Sequence, residues 1–353
     1  DIEALTQVLK KYEGLHHGHL VTDFEKEIQA LTGSPFVLAL NSGTSAIHLG
    51  LLALGVQPND SVFVSTFTFI GSLNPILYVG ANPVFIDSEE QTWNMDPILL
   101  ERALSEHQKA GKLPAAIIVV HTYGMPAKMD EISAVANQFG VPVLEDAAEA
   151  IGSYYKGIHA GALAQAGVLS FNSNKTITTF GGGALLTKSK ILYDKAKALA
   201  THSSANKTPA VTPVGYNYKL GPLSAAMGLA SLEKLDKKLA SKREIFNYYK
   251  QCFGKIADIR MQNEPPGHSS NYWLSCIVAP KPTSQIALQL GQIAAETRPA
   301  WKPLHMHSHL SHFKQYNNKV AEELHTNGIC LPSTEQLSES ELESIATTVV
   351  NCL

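Results

Sequence analysis

The pattern that most constrains this chain is an alternation. Short apolar runs at Phe36–Leu40, Val62–Ser65, Pro83–Ile86, Ala116–Val120, Val141–Leu144 and Val168–Phe171 are separated by stretches of helical period. The helical stretches fall at Ser45–Leu54, Ile70–Val79, Pro97–His107, Met129–Phe139 and Lys188–Leu199. Apolar runs of strand length that do not alternate in polarity suit strands buried on both faces. Helices between them supply the crossovers that a parallel sheet needs. The expectation is therefore an α/β fold with a mostly parallel, helix-covered sheet.

Before the first strand, residues 1–11 read as an amphipathic helix, and Thr22-Asp23-Phe24-Glu25 reads as a capping box opening a second helix that stops near Gly33. Past about residue 220 the alternation ends. Pro222–Lys250 reads as one long, interrupted helix, followed by strand-like residues near Trp273–Val278 and a final helix near Ser338–Asn351. This places a large domain over 1–235 and a smaller C-terminal α+β domain over 236–353. Thr201–Pro213, rich in Ser, Thr, Pro and Asn, reads as a loop of the kind that borders active sites.

With 353 residues, 44% hydrophobic and 17% charged, the chain can bury a core of enzyme size. The net charge is −3 and the basic residues are scattered, so no nucleic-acid surface is expected. No apolar run reaches membrane-spanning length. Four cysteines without a CxxC pair argue against a disulfide framework and a thiolate metal site, and point to a cytoplasmic protein. The tract His305-Met306-His307-Ser308-His309-Leu310-Ser311-His312 has no acidic or Cys partner nearby, and no metal is expected there.

Several segments can carry chemistry. Asn41-Ser42-Gly43-Thr44-Ser45-Ala46 joins a strand to a helix, and reads either as a phosphate cradle or as a plain N-cap turn. Leu144-Glu145-Asp146-Ala147-Ala148-Glu149 places Asp146 at the carboxyl end of a buried strand, where open α/β sheets bind ligands. A buried acid needs a partner. A cofactor with a protonated ring nitrogen would be one, and an N-cap role is the plainer reading. Lys175 follows a strand and precedes Thr176-Ile177-Thr178-Thr179-Phe180-Gly181-Gly182-Gly183. A lysine desolvated there is a nucleophile toward an aldehyde, and a surface lysine beside a turn is the alternative. Gly215-Tyr216-Asn217-Tyr218-Lys219-Leu220 either lines a site or anchors a loop.

In order and spacing these segments resemble the DegT/DnrJ/StrS family of sugar aminotransferases, along nearly the whole chain. The matching stretches are Phe24–Ile28, Ser42–Leu51, Thr66–Asp87, His121–Gly124, Glu145–Gly152, Ser170–Gly183, Gly215–Lys219, Arg298–His305 and Cys330–Ser333. The resemblance implies the fold-type I architecture of pyridoxal 5'-phosphate (PLP) enzymes and a homodimer with a shared active site. By position it makes Lys175 the Schiff-base lysine and proton carrier, and Asp146 the partner of the pyridine nitrogen. It places Thr44, Ser45 and Ser170 on the phosphate, Asn217 on the phosphate of the neighbouring subunit's cofactor, and Phe69 over the cofactor face. Trp301, His305 and Lys219 fall in the segments that approach the sugar nucleotide.

Glu149 stands where the family has Gln or His, Lys219 where it has Arg, and Thr201–Val211 lacks the acidic, His-rich loop of relatives. A carboxylate at 149 would face the cofactor's phenolic oxygen, so partial protonation of Glu149 is expected. Lys175 separates the chain from the branch that carries His there and dehydrates. The implied reaction is ping-pong amino transfer from L-glutamate to a nucleotide-linked keto sugar. The substrate expected is a UDP-4-keto-6-deoxy-N-acetylhexosamine aminated at C4 for a bacterial surface glycan. A dTDP or GDP 3- or 4-keto sugar, or a non-catalytic sensor on the same fold, are the alternatives.

Overall fold

A computed structural model describes residues 2–11, 18–202, 214–280 and 282–353. The expected loop at Thr201–Pro213 lies almost wholly outside the described residues. In chain order the elements are helices α1 (Ile2–Lys11) and α2 (Gly18–Thr32), strand β1 (Phe36–Leu40), α3 (Gly43–Leu54), β2 (Ser61–Ser65), α4 (Asn74–Tyr78), β3 (Asn82–Ile86), α5 (Pro97–Lys109), β4 (Ala116–Val120), α6 (Met129–Gln138) and β5 (Val143–Asp146). Two short strands follow, β6 (Tyr154–Tyr155) and β7 (Ile158–His159), then β8 (Ala166–Ser170), β9 (Gly183–Thr187) and α7 (Lys190–Ala200). The remainder comprises α8 (Pro222–Leu232), α9 (Leu235–Phe253), β10 (Arg260–Met261), β11 (His268–Ser269), β12 (Ser275–Val278), α10 (Ser284–Gln292), β13 (Arg298–Pro299), β14 (Gln315–Tyr316), α11 (Val320–Asn327), β15 (Gly328–Leu331) and α12 (Glu339–Asn351).

The main sheet has eight strands in the order β1-β9-β8-β5-β4-β2-β3-β14. The run from β8 to β14 is parallel, and β9 runs antiparallel between β8 and β1. The parallel strands are buried almost end to end, with β4 wholly enclosed, as expected of a sheet covered on both faces. One face packs on α3 and α7 through Leu49, Leu51, Val64, Leu144 and Leu185. On the other, Phe63, Ile117, Val119 and Val143 meet α5 and α6 through Leu100, Leu104 and Ile132. Phe24 and Ile28 of α2 pack with Phe171, Leu186 and α8 in a third cluster.

β9 is not among the expected strands, because Gly181-Gly182-Gly183 reads as a stretch that lets the chain pack on a flat cofactor or a neighbouring backbone rather than as a strand. Its reason is steric: a Cβ on Gly183 would lie 2.4 Å from the Gly43 amide nitrogen, so only glycine lets this strand pass the start of α3. The capping box at Thr22 is not formed. The helix already begins at Gly18, Thr22 bonds back to the Gly18 carbonyl, and Glu25 Oε1 accepts instead from the Ala39 amide of β1 at 2.9 Å. Pro222–Lys250 is two helices, broken after Leu232.

α9 leads into an antiparallel sheet of order β10-β12-β15-β13. Tyr249, Phe253, Ile277, Leu290, Ile329, Ile345 and Val349 form its core. Two excursions return from it to the main body. β11 pairs with β6, and β14 adds the last parallel strand beside β3. They bring the segments around Asn271–Trp273 and Trp301–His305 to the carboxyl end of the main sheet, as the contacts below show. No described helix is long and apolar enough to cross a membrane.

Candidate active site

Parallel strands aim their carboxyl ends at one edge, and the chemistry-bearing residues collect there. Asp146 ends β5 and is nearly buried. Its Oδ2 accepts from Ser72 Oγ at 2.6 Å and its Oδ1 from the Ala148 amide at 3.1 Å. Ser72 Oγ is in turn 2.8 Å from Thr68 Oγ1. Among the described residues no basic side chain pairs with Asp146. A buried carboxylate held only by a hydroxyl and a local amide retains acceptor capacity for a cationic N–H.

Lys175 follows β8 in a turn closed by its own amide on the Asn172 carbonyl, 3.0 Å. Its side chain is only 13% exposed, and Nζ lies 3.0 Å from Glu149 Oε1. Glu149 Oε2 accepts from the Tyr123 amide at 3.0 Å. Burial pushes the Glu149 carboxyl up to about 7, outweighing the pull of the Lys175 ammonium and the Tyr123 amide, and the nearby Asp146 adds to the rise. The raised Glu149 carboxyl has its physical cause in burial among protein atoms.

The start of α3 forms a second wall. Ser42 caps it, its Oγ accepting from the Ser45 amide at 3.0 Å. A Cβ on Gly43 would sit 3.3 Å from Ser170 Oγ, and one on Gly71 would sit 3.6 Å from Thr44 Oγ1 and 3.0 Å from the Phe69 ring. Ser170 is thus near Gly43, and Thr44 and Phe69 near Gly71, with Phe69 60% exposed. The Ser45 amide donates to Ser42 Oγ and its hydroxyl to Asn41 Oδ1 at 2.7 Å, so Ser45 helps to shape this turn.

Asn217 and Lys219 are exposed. The Asn217 carbonyl accepts from Asn41 Nδ2 at 3.4 Å, and Lys219 bridges Leu40. The Trp301 ring packs against Tyr123 with centroids 4.7 Å apart and planes tilted by 45°, and its amide donates to Tyr123 Oη at 3.0 Å. His305 is buried with both ring nitrogens engaged. Nδ1 lies 2.7 Å from Thr66 Oγ1, and Nε2 lies 3.3 Å from Glu322 Oε1 and 3.2 Å from Asn317 Nδ2. It ties the Thr66–Phe69 turn to α11 rather than presenting a free donor. Among the described residues no cluster of His, Cys, Asp and Glu could hold a metal ion.

Sequence reasoning did not single out Ser72, Tyr123, Asn271 or Trp273. The Trp273 ring lies 4.1 Å from Lys175 Nζ, and its Nε1 donates to the Asn174 carbonyl at 2.9 Å. Asn271 Nδ2 donates to the carbonyls of Glu149 and Ile151 at 2.8 and 2.9 Å. Their distance along the chain from Lys175 left no local signal.

The sequence profile of the DegT/DnrJ/EryC1/StrS aminotransferase family matches residues 1–350, and the chain belongs to this family. It is similar to the putative pyridoxal phosphate-dependent aminotransferase EpsN of Bacillus subtilis, 42% identical over 92% of this chain and 85% of that protein. GDP-perosamine synthase of Escherichia coli O157:H7 is 35% identical over 92% of this chain and 88% of its own length. UDP-4-amino-4,6-dideoxy-N-acetyl-beta-L-altrosamine transaminase of Campylobacter jejuni is 38% identical over 72% of this chain and 67% of its own. The fold superimposes on a DegT DnrJ EryC1 StrS aminotransferase from Brucella abortus with a TM-score of 0.92 at 27% identity, covering 99% of this chain and 95% of that one. The protein is a PLP-dependent sugar aminotransferase.

The residues present fit that cofactor. Asp146 offers a buried acceptor without a cationic partner, Lys175 an enclosed amine, and the Gly43–Thr44 turn a helix N-terminus flanked by Ser170.

Proposed function

We propose that this enzyme moves an amino group from L-glutamate to C4 of a UDP-linked 4-keto-6-deoxy-N-acetylhexosamine, for a bacterial surface glycan. The observation that carries the chemistry is the enclosed Lys175–Glu149 pair near Asp146, a buried carboxylate bonded by a hydroxyl and an amide and, among the described residues, by no basic side chain. The substrate class is supported by relatives named for amino sugars on UDP and GDP.

Bound in this site, PLP supplies an electron-accepting ring that stabilises negative charge on the substrate carbon. Asp146 holds the proton on the ring nitrogen. Thr44, Ser170 and the first amides of α3 hold the phosphate, with Ser45 fixing their turn. Phe69 covers the ring face, and Asn217 reaches the phosphate of a second subunit's cofactor in a homodimer. Lys175 Nζ takes the α-proton of the amino donor and returns a proton to the sugar carbon. Glu149, poised near neutrality, shares a proton with that amine and with the cofactor's phenolic oxygen. Trp301 and Lys219 meet the sugar nucleotide, and His305 braces the turn behind them.

The test is amination of matched UDP-linked 4-keto-6-deoxy-N-acetylhexosamine and GDP- and dTDP-linked 4-keto-6-deoxyhexoses, with L-glutamate as donor and the product read by NMR. The UDP sugar is expected to react with the highest kcat/KM. Preference for either other nucleotide would overturn the substrate assignment while leaving the amino transfer standing.

A further inference from the structure

Lys175 must release its amine to act as a proton carrier, and a free amine on a four-carbon stem has many conformations to lose. The structure limits them from both ends. At the backbone, Trp273 Nε1 holds the carbonyl of Asn174, the residue before the lysine, at 2.9 Å. At the tip, the face of the same indole lies 4.1 Å from Nζ, and Glu149 Oε1 lies 3.0 Å from it. One side chain thus fixes where the lysine starts and where its amine rests.

Trp273 is itself held on three sides. Its amide donates to Asn271 Oδ1 at 2.9 Å, and Lys242 Nζ of α9 donates to its carbonyl and to that of Ser333, both at 3.0 Å. Asn271 Nδ2 also donates to the Glu149 carbonyl, so one side chain ties the backbone of Trp273 to the backbone of Glu149. That turn is packed against Gly124, where a Cβ would come within 1.8 Å of Asn271 Oδ1 and where φ is +93°.

We propose that Trp273 is a positioning residue: it holds the Lys175 amine, whenever that amine is not covalently engaged, in a slot closed by the indole face on one side and Glu149 on the other. A cation over a tryptophan face is favoured over the neutral amine, most strongly where water is excluded. The other charged groups around the slot are Asp146 near Glu149, Lys238 of α9 on the Thr176 carbonyl with Glu335 3.7 Å from its amine, and Lys242 on the Trp273 carbonyl. Trp273 is the uncharged wall among them. This rests on the reading of Lys175 as the reacting lysine.

The test uses the cofactor-free full chain, so that it reports the slot and not turnover. The rate of Lys175 labelling by acetic anhydride is followed against pH by peptide mass spectrometry. Trp273→Leu, checked for folding by circular dichroism, is expected to lower the labelling midpoint by about one pH unit. Trp273→Phe, which keeps a ring face and loses the Nε1 donor, is expected to lower it by less than half as much. Folded variants with the wild-type midpoint would overturn the proposal.

Should Trp273→Leu fail to fold, the decision falls to tryptophan fluorescence of wild type minus Lys175→Met. A pH-dependent difference sharing the labelling midpoint supports the slot, and a flat difference overturns it. A midpoint shift in a protein that never responds to L-glutamate would instead keep the slot and discard the aminotransferase reading.

Discussion

Glu145 lies in β5 and Glu149 in the buried turn that follows it, and each faces a base, yet they are held in opposite ways. Glu145 is fully enclosed. Its two oxygens accept from the amides of Gly161, Leu163 and Ala164 at 2.8, 2.7 and 2.6 Å, and from His121 Nε2 at 2.9 Å. The Ala127 amide donates to His121 Nδ1 at 3.1 Å, which leaves the ring proton on Nε2, aimed at the carboxylate. Every donor around Glu145 belongs to fixed protein. Glu149 has one fixed donor, the Tyr123 amide, and one on a flexible side chain, Lys175. The closed pair locks the loop after β7 to the end of β4. The open pair keeps a proton available. The comparison teaches that burial alone does not decide how a carboxylate is held: Glu145 is bound by backbone amides and a histidine, whereas Glu149 faces an amine on a long flexible stem.

Breaking the closed pair has the largest expected effect on stability. Glu145→Gln turns one acceptor into an NH2 group facing an N–H donor. It should cost about 3 kcal/mol, seen as a lower urea midpoint at unchanged slope, while the folded variant keeps its cofactor absorption. An unchanged midpoint would mean that the amide set around Glu145 is not tight.

The open pair should show itself through pH. Glu149 is raised from 4.5 to about 7 in the folded protein, so between those values the folded state binds more protons than the unfolded one. Its contribution is fully present below about pH 4.5 and is lost as pH rises through 7, a fall of about 3 kcal/mol from this group. Glu149→Gln in the cofactor-free protein should flatten that part of the stability–pH curve. A slope that persists in the variant would assign it to another group.

The smallest effect is expected at Ser72, which supports Asp146 without touching Lys175. Ser72→Ala should loosen the cofactor roughly fivefold, about 1 kcal/mol, in a fluorescence titration with PLP. Undiminished affinity would remove Ser72 from the site.

The parallel strands were legible because a strand buried on both faces is written as a continuous apolar run; Asp146 ends β5, and Lys175 lies in the turn that follows β8. β9 was not, since its glycines serve a close approach to Gly43 that no local pattern reveals. The apparent capping box at Thr22 failed for a tertiary reason: Glu25 reaches the Ala39 amide across the α2–β1 contact. The partners of Glu145 and the Trp273 slot were equally hidden, because each joins residues distant along the chain. That the Ser45 hydroxyl bonds Asn41 and the His305 ring bonds Thr66 could not be read from the sequence, because only the folded turns bring these groups together.

The central claim is that Lys175 is the reacting amine of a PLP-dependent aminotransferase. The most direct measurement is the visible absorption of the purified protein, supplied with PLP, before and after L-glutamate. The account predicts a yellow band that bleaches with glutamate and is absent in Lys175→Ala. No band in the wild type, or the same band in Lys175→Ala, would contradict it.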